Sequence, residues 1–288
     1  MAPHFVEGAD GLPIATWELG GAGTPLLVAH ATGFHTGTLR ALAGGLVGRH
    51  RVVGFDCRGH GRSGTPPLVR DAEGRMPSMG WDTFATDALA VVDALALDGA
   101  VGFGHSCGGA LLLLAEERRP GTFSAIYAYE PVVLSPGSWA ALAERGGDPS
   151  AAARRRRPAF ASRDDALAHY AAKPPLSALR ADVLADYVDG GFTEQPDGTV
   201  RLRCDPEVEA ATFSMAPHAD TWERLPEVAC PVTFACGGTR ADFGRAMTAP
   251  LAARVSHGRL EEHPDLGHLG PMEAPDQIST AVLAALGS

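Results

Sequence analysis

Apolar residues along the chain fall into two alternating patterns. Residues 26–30, 51–55, 100–104, 124–129 and 231–236 are short runs rich in Val, Leu, Ile, Ala and Phe, the signature of strands buried on both faces. Residues 38–47, 84–97, 107–119, 243–254 and 274–286 instead repeat apolar positions at three- and four-residue spacing, which predicts helices. A short strand is expected at 259–263. Near the N-terminus, extended segments at 5–6 and 14–19 flank Gly8-Ala9-Asp10-Gly11, a turn-forming cluster, and read as an edge hairpin. Strands that alternate with helices predict an α/β architecture, a mostly parallel central sheet flanked by helices, with ligands gathered at the carboxyl ends of the strands.

The alternation stops after residue 133 and resumes near 222. Between them, residues 139–145, 163–172 and 177–189 read as helical pieces, punctuated by Gly190-Gly191 and a turn at 195–198. The expected division is a core of residues 1–133 and 222–288 with a helical insertion at 134–221. A length of 288 residues suits one core carrying an insertion.

The junction of the strand at 100–104 with the helix at 107–119 carries Gly104-His105-Ser106-Cys107-Gly108. A serine between small residues, at a sharp strand-to-helix turn, exposes its hydroxyl, and the next amide, that of Cys107, lies at a helix N-terminus that favours developing negative charge. Ser106 is therefore a candidate nucleophile. A serine hydroxyl attacks poorly at neutral pH unless an adjacent base takes its proton, and imidazole suits both that step and the later return of the proton to a leaving group.

Composition narrows the partners. With 24 basic and 34 acidic residues the net charge is −10, which argues against nucleic acid and anionic membrane surfaces as partners. The apolar fraction of 45% is ordinary for a globular protein. The cysteines at 57, 107, 204, 230 and 236 are widely spread and form no C-x-x-C pair, so neither a disulfide framework nor a zinc site is expected. No basic segment leads into an apolar stretch at the N-terminus and no run of 18 apolar residues occurs, so the expected compartment is the cytoplasm.

The chain resembles the α/β-hydrolase fold family. The resemblance rests on His30-Ala31-Thr32-Gly33, on Asp56-x-Arg58-Gly59-x-Gly61-x-Ser63, on Gly104 to Gly109, on Asp242 after a late strand, and on Gly267-His268 before the last helix. It implies Ser106 as nucleophile, His268 as base, and the Thr32 and Cys107 amides as the oxyanion hole. Two carboxylates end strands where the family places its acid, Asp242 and Glu130, and the commoner late-strand position favours Asp242 with Glu130 as the alternative. His30 is expected to hold its own loop, His105 to pack beneath the turn, and Asp56 with Arg58 to brace the loops around the serine. Where relatives commonly carry His-Gly, this chain has His30-Ala31, which bears on the shape of the oxyanion hole.

In the family the insertion at 134–221 is a cap over the active site. Its aromatic residues, Trp139, Phe192 and Phe213 among them, are candidates to line a substrate pocket, and the arginines at 154–157 are candidates for an anionic substrate group or a solvated helix face. The implied reaction is cleavage of an ester, lactone or thioester through an acyl-enzyme, without metal or organic cofactor. Acyltransferases or cyclases, lyases and ligand-sensing proteins of this fold are the alternatives. The serine argues against epoxide hydrolase and haloalkane dehalogenase chemistry, which uses an aspartate at the elbow. Oligomeric state is left open.

Overall fold

The structure, a computed structural model, describes residues 2–72, 76–135, 148–215, 220–239 and 244–286. In chain order the first half contains β1 (His4–Glu7), β2 (Pro13–Gly20), β3 (Thr24–Ala29), α1 (Arg40–Leu46), β4 (His50–Phe55), α2 (Trp81–Ala94), β5 (Ala100–His105), α3 (Cys107–Arg118) and β6 (Phe123–Tyr129). The inserted segment contributes α4 (Pro149–Arg154), β7 (Ala159–Phe160), α5 (Arg163–Ala171), α6 (Ala181–Gly191), β8 (Phe192–Glu194), β9 (Val200–Leu202) and α7 (Pro206–Met215). The chain closes with α8 (Thr221–Arg224), β10 (Val232–Gly237), α9 (Gly244–Arg254), β11 (Gly258–His263), α10 (Gly270–Glu273) and α11 (Pro275–Leu286).

Eight strands form one sheet in the order β1-β2-β4-β3-β5-β6-β10-β11. β1, β2 and β4 pair antiparallel, and from β4 to β11 every pairing is parallel. Alternate side chains of each inner strand go to opposite faces, so Leu27 and Ala29 join the apolar layer under α2 and α3 while Leu26 and Val28 join that under α1 and α11. Both faces are covered, which is why these strands read as continuous apolar runs rather than alternating ones. α3 is buried from Cys107 to Glu117 because it sits between the sheet, α2 and α8.

The inserted segment is not wholly helical. β7, β9 and β8 form a separate three-stranded antiparallel sheet, in strands of two or three residues that carry no readable period. Phe160, Tyr170, Val183, Tyr187 and Phe192 pack together and reach Leu269 and Met272 beside the last helices. The helix expected at 139–145 lies outside the described residues. The segment is tied to the main sheet's side at both flanks: Arg180 N–H donates to Met272 O (3.0 Å) and Trp81 Nε1–H to Met215 O (2.9 Å). Among the described residues no helix is long and apolar enough to cross a membrane.

Candidate active site

Ser106 sits between β5 and α3 with φ +56° and ψ −117°, a sparsely populated conformation for a residue with a Cβ. The turn closes because the residues two positions to either side, Gly104 and Gly108, lack side chains. A Cβ on Gly104 would lie 2.5 Å from Gly109 Cα, and one on Gly108 would lie 2.2 Å from the Ala29 carbonyl oxygen. Strand β3, helix α3 and the turn thus meet at backbone contact, and the seryl hydroxyl is left at the carboxyl edge of the sheet.

Strand register then brings the other groups to it. His105 pairs with Tyr129, and Ser106 N–H donates to Tyr129 O (2.9 Å), so Ser106 and Glu130 occupy equivalent steps beyond adjacent strands. Glu130, at φ +41°, bonds across to Ala235 O of β10 (2.8 Å). Its carboxylate is buried: Oε1 accepts from Gly237 N–H (2.8 Å) and Gly244 N–H (3.2 Å), and Oε2 lies 2.6 Å from His268 Nδ1. A proton on Nδ1, donated to that carboxylate, leaves Nε2 with a lone pair, and Nε2 lies 3.2 Å from Ser106 Oγ. The described residues therefore form a continuous chain from carboxylate to imidazole to hydroxyl.

The loop bearing His268 is fixed through its carbonyls and amides. Tyr129 OH donates to Gly267 O (2.8 Å), Gly267 N–H donates to Glu273 Oε2 (2.9 Å), and His105 Nε2–H donates to His268 O (2.7 Å). Burial holds the His105 imidazole well below its usual pKa, and the adjacent His268 ring, 5.0 Å away, adds to the effect. A neutral His105 with its proton on Nε2 is thus a fixed donor beneath His268.

Across the site, the segment after β3 is held from below. Cys57 N–H donates to His30 Nε2 (2.9 Å), which places the His30 proton on Nδ1, donating to Ala31 O (2.8 Å). Burial pushes the pKa of the Cys107 thiol up to about 11, so the sulfur beside Thr32 is a neutral neighbour. Asp56 accepts from Thr36 N–H (2.8 Å), Arg62 N–H (2.9 Å) and Trp17 Nε1–H (3.1 Å), while Arg58 forms a fork with Asp87 at 2.7 Å on both arms. Neither Asp56 nor Arg58 points its charge at Ser106; both are consumed in bracing. The Thr32 and Cys107 amides make no backbone hydrogen bond among the described residues.

Of the residues the sequence singles out, Ser106, His268 and Glu130 are joined by hydrogen bonds, with Cys107 next in the chain to Ser106 and Thr32 beside Cys107. Asp242 and Trp139 lie outside the described residues. Phe192 has no exposed surface and sits among Phe160 and Tyr170, in the interior of the inserted segment, and Phe213 is partly buried on α7. A cavity of about 440 Å³ opens between residues 174–178 and Gly267, Leu269 and Glu273, flanking His268 without including Ser106 in its walls. Among the described residues no cluster of three or more His, Cys, Asp or Glu could hold a metal ion. Sequence reasoning missed a buried pair, Arg156 with Glu209, which reaches the loop after Thr32; a run of four arginines gives no sign of which one turns inward.

Comparison with known proteins agrees with this fold. A model of the alpha/beta hydrolase family matches residues 22–281. Monoglyceride lipase of Homo sapiens is 35% identical over 142 residues, 46% of this chain and 44% of that enzyme, so the match spans less than half of either. Esterase YbfF of Escherichia coli is 25% identical over 263 residues, 90% of this chain and 91% of the esterase. The enol-lactonase from Burkholderia xenovorans LB400 superposes with a TM-score of 0.73 at 18% identity, over 99% of this chain and 100% of that one, which speaks for the fold. With the family match spanning nearly its whole length, the chain belongs to the alpha/beta hydrolase family.

Proposed function

We propose that the chain is a serine hydrolase of a small-molecule ester, lactone or thioester. The observation that carries the reading is the Glu130–His268–Ser106 relay, 2.6 Å and 3.2 Å at its two contacts. Ser106 Oγ attacks the carbonyl carbon as His268 Nε2 takes its proton, and Glu130 stabilises the imidazolium that results. The Thr32 and Cys107 amides receive the oxyanion. His268 returns the proton to the leaving group, and a water activated by the same imidazole releases the acyl group from Ser106. We assign the acid to Glu130 because its carboxylate already accepts from His268 and is held by two further backbone donors. Residues 134–221 act in this reading as the cap that sets the substrate's shape. The names of the relatives, an esterase over nine-tenths of the chain above all, support a carboxylic ester-like bond.

The test is turnover of a panel of short-chain p-nitrophenyl esters, thioesters and lactones by the wild type and by Ser106→Ala. Hydrolysis by the wild type, reduced by about 10³-fold or more in the variant, is expected. A wild type inert to the whole panel would overturn the reading, and transfer to an added alcohol exceeding hydrolysis would replace it with acyl transfer.

A further inference from the structure

We propose that Arg156 is a positioning residue for the oxyanion loop, joining Glu209 and Tyr187 into one network that holds residues 33–35 and, through them, the Thr32 amide. The inference rests on the serine-hydrolase reading above.

Arg156 follows α4, Tyr187 lies on α6 and Glu209 on α7, so three separate pieces of the inserted segment converge on one guanidinium. Arg156 Nη1 pairs with Glu209 Oε2, and Nη2 bonds the Tyr187 hydroxyl and lies 3.3 Å from the Tyr170 hydroxyl. The Arg156 and Glu209 side chains are only 16% and 8% exposed. The far ends of this network touch consecutive residues of the loop. Gly33, at φ +80°, lies so close to the pair that a Cβ there would be 2.5 Å from Glu209 Oε1 and 3.5 Å from Arg156 Nη1. The Phe34 ring packs on that of Tyr187 with centroids 5.3 Å apart. His35 Nδ1 accepts from Gly37 N–H, which leaves its Nε2–H to donate to Tyr187 O (3.3 Å).

The loop needs such a grip. Ala31, Thr32 and Gly33 are small residues without strand or helix hydrogen bonds of their own, and a donor to the oxyanion is effective only when held within about 3 Å of where that oxygen forms. His30 and Asp56 fix the loop from the side of the sheet; the Arg156 network closes it from the opposite side. A planar fork that serves a carboxylate and a phenol at once is a geometry that lysine cannot reproduce.

Charge gives the second reason. Glu209 stands beside the residue that follows Thr32, and an unpaired carboxylate there would oppose the negative charge that develops on the substrate. Arg156 cancels it. Stability alone does not account for the pair, because buried ion pairs add little over apolar residues of the same size.

Steady-state kinetics on p-nitrophenyl butyrate test this with Arg156→Met, Glu209→Gln and the double variant, each checked for folding by thermal melting. Arg156→Met is expected to lose about 10- to 100-fold in kcat, with KM within about threefold, since a positioning defect acts on the transition state. The double variant is expected to recover about threefold or more of that loss, because removing the carboxylate's charge removes the opposition to the oxyanion. A loss confined to KM, an unchanged kcat, or no recovery in the double variant would overturn the proposal. If Arg156→Met does not fold, Arg156→Lys carries the same test with a kcat loss of about 3- to 10-fold expected and an unchanged kcat overturning it. An inert wild type removes both this proposal and the hydrolase reading; an active wild type beside an equally active Arg156→Met removes this proposal alone.

Discussion

Ser106 and Glu130 are both non-glycine residues held at positive φ, +56° and +41°, at the ends of neighbouring strands. Each such residue costs about 1–3 kcal/mol, a strain retained where the surrounding structure uses the direction it gives the side chain. Here that direction aims a hydroxyl and a carboxylate at opposite nitrogens of His268. In the sequence only the commoner late-strand position favours Asp242 over Glu130 as the acid, because each follows a strand and the choice depends on how far a loop carries the carboxylate. Glu130→Gln is therefore expected to lower kcat by about 10³- to 10⁴-fold while Asp242→Asn stays within about tenfold of the wild type, measured on one chromogenic ester. The reverse pattern would return the acid to Asp242.

At the scale of elements, the parts of the chain that bury both faces of a strand or one face of a helix were legible, since their composition follows directly from where they sit. β3, β4, β5, β6 and β10 stand within a few residues of their apolar runs, and the elbow's glycines announce its close contacts. The inserted segment was legible only as an interruption. Its strands are too short to alternate, and α6 begins at Ala181, several residues later than the apolar spacing suggests, because a separate turn occupies Leu176–Ala178. The inward turn of Arg156 depends on partners more than thirty residues away, and nothing local encodes it. The elbow yields a sharp prediction. Gly108→Ala places a methyl group against the Ala29 carbonyl and is expected to destabilise the fold by about 3 kcal/mol or more, read as a lowered denaturant midpoint. An unchanged midpoint would show that β3 and α3 do not meet as described.

For the whole molecule, stability against pH is set in part by a group far from the chemistry. Glu117 is buried on α3, with no hydrogen-bond partner for either carboxylate oxygen among the described residues, and its pKa is raised to about 8 from an ordinary 4.5 by burial above all, with Arg224 opposing and Asp220 and Glu227 adding to the rise. The folded state then holds a proton that the unfolded chain has already released, so the stability this group contributes declines as pH rises from about 4.5 to about 8. Glu117→Gln is expected to flatten that decline and to melt higher than the wild type at pH 8, in thermal unfolding followed across the range. A wild type equally stable at pH 5 and pH 8, or a variant with the same slope, would contradict it.

The central claim is that Ser106 becomes covalently acylated with His268 as its base. Peptide-resolved mass spectrometry after brief exposure to a fluorophosphonate reads this directly. The expected result is a single adduct on the peptide carrying Ser106, slowed by about 10³-fold or more in His268→Gln. Ester turnover without an adduct at Ser106, or labelling that proceeds at the same rate in His268→Gln, would contradict it.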